Sequence, residues 1–258
     1  SRYMQLYNTP VHHDIRVPHT KWVVLRYPTQ MMAYQAGMGT REFEDYYYRV
    51  TTGVDYEAMA RAMEKAKAFL DQADRVEIVA PGTDLTFSIK GMGSVPCAGL
   101  RNIPDGEIYT CPVKQSVNGT ITYNTASTYN GHCFTDVSFL IRDGKIVEAS
   151  ADDTDALNAV LDTDEGARYF GEFALGCNPQ ITFAMDNILF DEKIAGSIHF
   201  TPGNAYEECD NGNRSAVHWD LVQIQRPEFG GGEIRIDGSL VRKDGVFVHP
   251  AFADLNFL

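Results

Sequence analysis

The stretch "DYEAMARAMEKAKAFLDQADRVEIVAPG", residues 55–82, carries two hydrophobic rhythms back to back. In its first part Met59, Ala62, Met63, Ala66, Phe69 and Leu70 recur every three or four residues, which marks one apolar face of an α-helix. This stripe of Met and Phe reads as core packing rather than as a cofactor box. The second part, RVEIVAPG, reads as a strand. Upstream, "KWVVLRYPT" is an apolar strand ended by Pro28, and "TREFEDYYYRV" follows with Thr40 as a candidate N-cap. Strand, helix, strand is the order of an α/β segment, and it occupies residues 1–95.

Past residue 95 the signals become short strands and turns. Asp105-Gly106, Asn118-Gly119, Asp143-Gly144, Asp237-Gly238 and Asp244-Gly245 each lie between β-rich segments and predict hairpin turns. One helical interlude, "DDTDALNAVLDTDEGARYF", has Ala156, Leu157, Val160 and Leu161 as its apolar positions. The expected fold class is α+β: a partial α/β N-terminal region (1–95) followed by a β-rich domain (96–258).

The chain has 258 residues, 44% of them hydrophobic and 22% charged, enough for a sizeable core. A net charge of −13 argues against nucleic acid or an anionic membrane as partner, because phosphate-neutralising side chains are in deficit. Cys97, Cys111, Cys133, Cys177 and Cys209 form no C-x-x-C pair, which predicts reduced thiols and a cytoplasmic protein. Of two N-x-S/T sequons, the one at Asn118 reads as an Asn-Gly turn rather than a glycan site. A start at Ser1 without an initiator Met predicts a fragment or a processed product.

The chemistry-bearing residues fall in the β-rich part. Glu107 opens the strand "GEIYTCP". Glu172 lies in "RYFGEFALGCN", and His199 in "AGSIHF", a segment too apolar to need an imidazole for solvation. In "NRSAVHWDLV", strand alternation projects His218 and Asp220 together while Val217, Trp219 and Leu221 point the other way. From the residues alone these are exposed carboxylates, a hydrogen-bonded core histidine, or a carboxylate–histidine metal site.

Taken together, "IPDGEIYTCP", "GARYFGEFALGCNP", "NILFDEKIAGSIHFTPGNAY" and "NRSAVHWDLV" resemble, in order, the motif set of the thermophilic aminopeptidase T/S family, the M29 metallopeptidases. The upstream "TKWVVLRYPTQMMAYQAGMGTREFEDYY" is similar to the segment that precedes those motifs. The resemblance implies two divalent metal ions (Zn, Co, Mn or Mg) held by Glu107, Glu172, His199, His218 and Asp220. It implies a catalytic tyrosine at Tyr206, as hydrogen-bond donor to the oxyanion, and Glu172 is the candidate general base. The implied substrate is a peptide with a free N-terminus, acted on by a cytoplasmic homodimer. Family members are longer, which predicts a missing N-terminal part, and the segment from Tyr206 to His218 is shorter than the family's usual connection. The same scaffold resembles non-haem Fe(II) ring-cleaving dioxygenases, for which Glu107, His218 and Asp220 would form the triad. A third reading is a truncated, inactive binding module.

Overall fold

The computed structural model describes residues 4–257. After the helical segments Met4–Arg16 and Val17–His19 and the short strand Val24–Leu25 come helices α1 (Gln30–Gln35), α2 (Thr40–Thr51) and α3 (Tyr56–Leu70). Strands follow as β1 (Arg75–Ala80), β2 (Thr83–Ser88), β3 (Val95–Cys97), β4 (Glu107–Thr110), β5 (Asn118–Thr122), β6 (Ser127–Tyr129), β7 (His132–Phe134), β8 (Ser138–Arg142) and β9 (Lys145–Ser150). Helix α4 (Thr154–Leu161) leads to β10 (Phe170–Gly176). Helix α5 (Ile188–Asp191) leads to β11 (Ser197–Pro202), β12 (Val222–Ile224), β13 (Glu233–Ile236), β14 (Ser239–Lys243) and β15 (Val246–Phe247). This is an α+β fold, as the mixed signals predict.

Helix α3 forms where the 3–4 periodicity places it. Asp55 caps its start by accepting the Ala58 N–H at 2.9 Å, and Met59, Ala62, Met63, Ala66 and Leu70 are buried. They pack with Val76, Ile78, Leu85 and Phe87 of β1 and β2 in the main core. Helix α4 is capped likewise by Asp153, which accepts the Ala156 N–H.

Two larger sheets, antiparallel throughout, hold most of the strands. One has eight strands in the order β9-β8-β5-β2-β1-β13-β14-β15, the other five in the order β12-β11-β10-β4-β3. They meet through aromatic rings: Phe87 of β2 lies 5.0 Å, centroid to centroid, from both Phe173 of β10 and Phe200 of β11. The opposite side of the smaller sheet packs on the helices, with Phe43, Tyr46 and Tyr47 of α2 and Leu189 and Phe190 of α5 clustering with Val222 and Ile224 of β12. Strands β1 and β2, from before residue 95, share the eight-stranded sheet with strands from after it, whereas β2 and β3 lie in different sheets.

Several element-level expectations come out differently. Thr40 is not the cap of α2 but its first residue, and Gly39 holds the N-cap position. In "KWVVLRYPT" only Val24–Leu25 pairs, in parallel with Asn102–Ile103, and both residues are exposed. That apolar run never enters a core, and β1 pairs antiparallel with β2 and β13, so no parallel crossover links it to the segment before α3. Asn118-Gly119 is not a turn but the start of β5, and its glycine is needed for a close approach. A Cβ on Gly119 (φ 121°) would lie 2.0 Å from the Asp84 carbonyl oxygen of the neighbouring strand. Asp105-Gly106 joins no hairpin: the Asp105 carboxylate is buried and accepts the N–H groups of Gly99 and Gly106. The other Asp-Gly pairs behave as expected, with both residues at positive φ in two-residue turns joining β8 to β9, β13 to β14 and β14 to β15. Asn130-Gly131, unforeseen, does the same between β6 and β7.

Candidate metal centre

Strands β4, β10 and β11 are neighbours, and their register brings the polar residues to one face. Glu107 is opposite Gly176, Ala174 is opposite both Tyr109 and His199, and Glu172 is opposite Thr201. Side chains alternate along each strand, so Glu107, Glu172, His199 and Thr201 share a face, while Ile108, Phe173, Leu175, Ile198 and Phe200 of the same strands fill the main core. His199 also sits opposite Val222 of β12, two residues beyond Asp220. His218 forms a bridge with Gly203. The expected strand through residues 217–221 does not form, since β12 begins only at Val222 and His218 makes an isolated bridge, yet the burial alternates: Val217, Trp219 and Leu221 lie in the main core, which leaves His218 and Asp220 to project the other way.

The five candidate ligands form one continuous cluster. The Nε2 atom of His199 lies 2.7 Å from Oε1 of Glu172 and 3.5 Å from Oε2 of Glu107. Nε2 of His218 lies 3.9 Å from Oε2 of Glu172 and 3.3 Å from Oδ1 of Asp220. Glu107, Glu172 and His199 offer ligand atoms all within 4.8 Å of one another. Those three are buried, and His218 and Asp220 are half-buried. Tyr206 sits at the rim, 44% exposed, its ring 4.5 Å from that of His218 and 5.9 Å from that of Tyr109.

Two neighbours orient this set, and neither stood out in the sequence. The carbonyl oxygen of Asn204 lies 2.8 Å from Nδ1 of His218. A carbonyl only accepts, so Nδ1 carries a proton, and it is Nε2 that would give up its own proton to a bound cation and face the cluster with a lone pair. The buried Thr201 hydroxyl donates to Oδ1 of Asp220 at 2.7 Å. The two-residue step from His199 to Thr201 was a readable signal for the threonine. Asn204 acts through its backbone and left no signal.

Electrostatics follow from the crowding of charge. Burial pushes Glu172 up, against the hydrogen bond from His199. Burial would lower both imidazoles, but the carboxylates outweigh it: Glu172 and Glu107 hold His199 above its ordinary value, and Asp220 drives His218 up to about 10. Burial would raise Asp220, yet His218 holds it far below the usual carboxylate range.

The donors fit divalent cations. Three carboxylates and two imidazoles converge, and Oε2 of both Glu107 and Glu172 are buried without a hydrogen-bond partner among the described residues. Each such oxygen costs about 1–3 kcal/mol unless something positive meets it. This oxygen- and nitrogen-rich set suits Zn, Co, Mn or Mg. A cavity of about 340 Å³ opens beside Asp220, lined among others by Arg26, Ser127, Thr128, Asn187 and Val222.

Comparison with known proteins bears on what such a cluster does. The family model described as thermophilic metalloprotease (M29) matches residues 1–247. Aminopeptidase 2 of Geobacillus stearothermophilus is 35% identical over 195 residues, covering 64% of this chain and 45% of that protein. Aminopeptidase T of Thermus aquaticus is 31% identical over 222 residues, covering 75% and 52%. The chain therefore spans about half the length of these curated relatives. Among solved structures, wild-type AmpT from Thermus thermophilus superposes with a TM-score of 0.67 at 25% identity, covering 81% of this chain and 59% of that one. The 2,5-dihydroxypyridine dioxygenase from Pseudomonas putida KT2440 superposes with a TM-score of 0.65 at 16% identity, over 89% and 71%. That second likeness is one of fold alone.

Proposed function

The chain belongs to the thermophilic metalloprotease family M29, and from that premise we propose that it is a metal-dependent aminopeptidase that removes N-terminal residues from peptides. One observation carries the proposal: five side chains from separate stretches converge, with two buried carboxylate oxygens left without a hydrogen-bond partner among the described residues. Glu107, Glu172, His199, His218 and Asp220 would hold a pair of divalent cations, Zn, Co, Mn or Mg. Bound there, such ions supply Lewis-acid polarisation of a peptide carbonyl and make a water acidic enough to attack near neutral pH.

The chain's own groups would do the rest. Glu172 exchanges a proton through its carboxylate, as general base and then acid. The Tyr206 hydroxyl, a phenol and therefore protonated at neutral pH, donates a hydrogen bond to the developing oxyanion. A terminal α-amine, unlike an internal amide nitrogen, has a lone pair to offer a cation held by these residues, and this would distinguish a peptide terminus from an internal bond. Asn204 and Thr201 fix the directions of His218 and Asp220. All five ligands lie in residues 96–258, the proposed catalytic part. The same kinship extends the proposal to a homodimer in the cytoplasm, which sedimentation and fractionation test; among the described residues no helix is long and apolar enough to cross a membrane.

The ring-cleaving reading, with iron on Glu107, His218 and Asp220, gives no part to the buried pair Glu172 and His199, 2.7 Å apart at the centre of the cluster. The deciding experiment is to strip the chain with chelator, reload it with each metal, and assay amino-acid p-nitroanilides against their N-acetylated forms. Metal-dependent release from the free-amine substrates alone supports the proposal. A folded, metal-loaded chain that releases nothing refutes it and leaves the binding-module reading, and oxygen uptake with a single iron favours the dioxygenase.

A further inference from the structure

A second group of metal-type donors adjoins the first. Cys97, Asp105 and Glu107 offer ligand atoms within 4.8 Å of one another, and Glu107 belongs to both groups. By donor chemistry alone this thiol–carboxylate lobe would take a divalent ion. It already contains a cation of the chain's own. Lys193, on the turn between α5 and β11, is fully buried, with its Nζ 3.6 Å from Oε1 of Glu107 and paired as well with the Glu192 carboxylate.

An ammonium removed from water is tolerated only where carboxylates meet it, and Glu192 and Glu107 supply two. Glu107 consequently divides its oxygens. Oε1 faces the lysine, while Oε2, without a hydrogen-bond partner among the described residues, lies 3.5 Å from His199 in the metal centre. We infer that Lys193 is a positioning residue: its ammonium is the resident cation of the Cys97–Asp105–Glu107 lobe, turning the second oxygen of Glu107 toward the metal centre and keeping a further divalent ion out. This inference rests on the metal-centre reading above.

Cobalt(II) tests it, because a thiolate ligand adds a charge-transfer absorption that oxygen and nitrogen ligands do not. The whole chain is titrated with Co²⁺, with bound metal counted by equilibrium dialysis and the spectrum recorded. The wild-type chain binds Co²⁺ without the thiolate band. Lys193→Met takes up an additional equivalent and gains the band, which vanishes in Lys193→Met/Cys97→Ser. Lys193→Arg, which keeps a cation, does not gain it. A comparison of wild type with Cys97→Ser needs no change at the lysine: equal counts and spectra support its occupancy, and a thiolate band lost in Cys97→Ser overturns it. A folded Lys193→Met with the wild-type count and spectrum also overturns it. A wild-type chain that takes up no Co²⁺ overturns the metal-centre reading, and this inference with it.

Discussion

Thr201→Val isolates what orientation contributes to the metal centre. Valine nearly matches threonine in shape, so the substitution at this fully buried position removes one hydroxyl and opens no cavity. The lost interaction is a 2.7 Å hydrogen bond to Oδ1 of Asp220, an ionised carboxylate. Hydrogen bonds to charged groups contribute about 1.5–3 kcal/mol. Removing a group that orients a metal ligand costs about 10–100-fold in affinity, or about 1.4–2.7 kcal/mol, and the two ranges agree. Asp220 stays charged in the variant, because His218 is the main influence holding it low, so the loss is one of direction and not of charge. The assay is a metal titration of wild type and Thr201→Val against a competing chelator, with thermal unfolding of the metal-free proteins alongside. We expect affinity to fall within that range while both proteins remain folded. Unchanged affinity would refute the claim that Thr201 orients a ligand, and loss of folding without metal would show its role to be structural.

Tyr206→Phe is expected to keep its metal content and lose about 10²–10³-fold in turnover, whereas His218→Ala and Asp220→Asn lose metal; equal metal loss in all three contradicts the separate roles. Gly119→Ala should destabilise the fold by about 1–3 kcal/mol, measured by urea unfolding, because the added methyl meets the Asp84 carbonyl at a φ that disfavours side chains. Asp191 gives a pH test. Its carboxylate accepts the N–H groups of Met185 and Asn187 but is buried, and burial raises its pKa to about 7. The folded state then holds this proton more tightly than the unfolded chain, whose aspartates titrate near about 4, so the stabilisation is complete below about pH 4 and is lost as pH rises toward about 7. Asp191→Asn should flatten that part of the stability profile, and an identical slope in the variant would exclude Asp191 as its source.

Much of this was readable from short-range pattern, and the limits of the reading are physical. The stripe from Met59 to Leu70 declared helix α3, because a helix that buries one face must repeat its apolar residues every turn. The Asp-Gly turns were legible because both positions need positive φ, which those residues tolerate. Asn118-Gly119 misled because the same glycine also serves where two backbones approach closely, and sequence does not separate the two needs. "KWVVL" misled because an apolar run signals a strand only when something covers it, and here Val24 and Leu25 are left in solvent. The candidate ligands were visible as polar residues in apolar surroundings. Lys193 was not, since a lysine between acidic and apolar neighbours looks like any surface lysine until Glu107, more than eighty positions upstream, is placed beside it.

The placement of the ligands on one sheet face has a mechanical consequence. Glu107, Glu172 and His199 stand on strands whose alternate residues, Ile108, Phe173, Leu175, Ile198 and Phe200, are locked into the main core. A one-residue slip of β11 against β10 would carry His199 into that core and Phe200 out of it, exchanging an imidazole for a phenyl ring at both positions. The core therefore fixes the register, and the register fixes the distances between the ligands. Clustering three carboxylates opposes folding through repulsion and desolvation, and Phe200, which contacts Phe87, Phe170 and Phe173, belongs to the apolar set that offsets it. In this fold the hydrophobic face of the small sheet is what allows its polar face to hold charge.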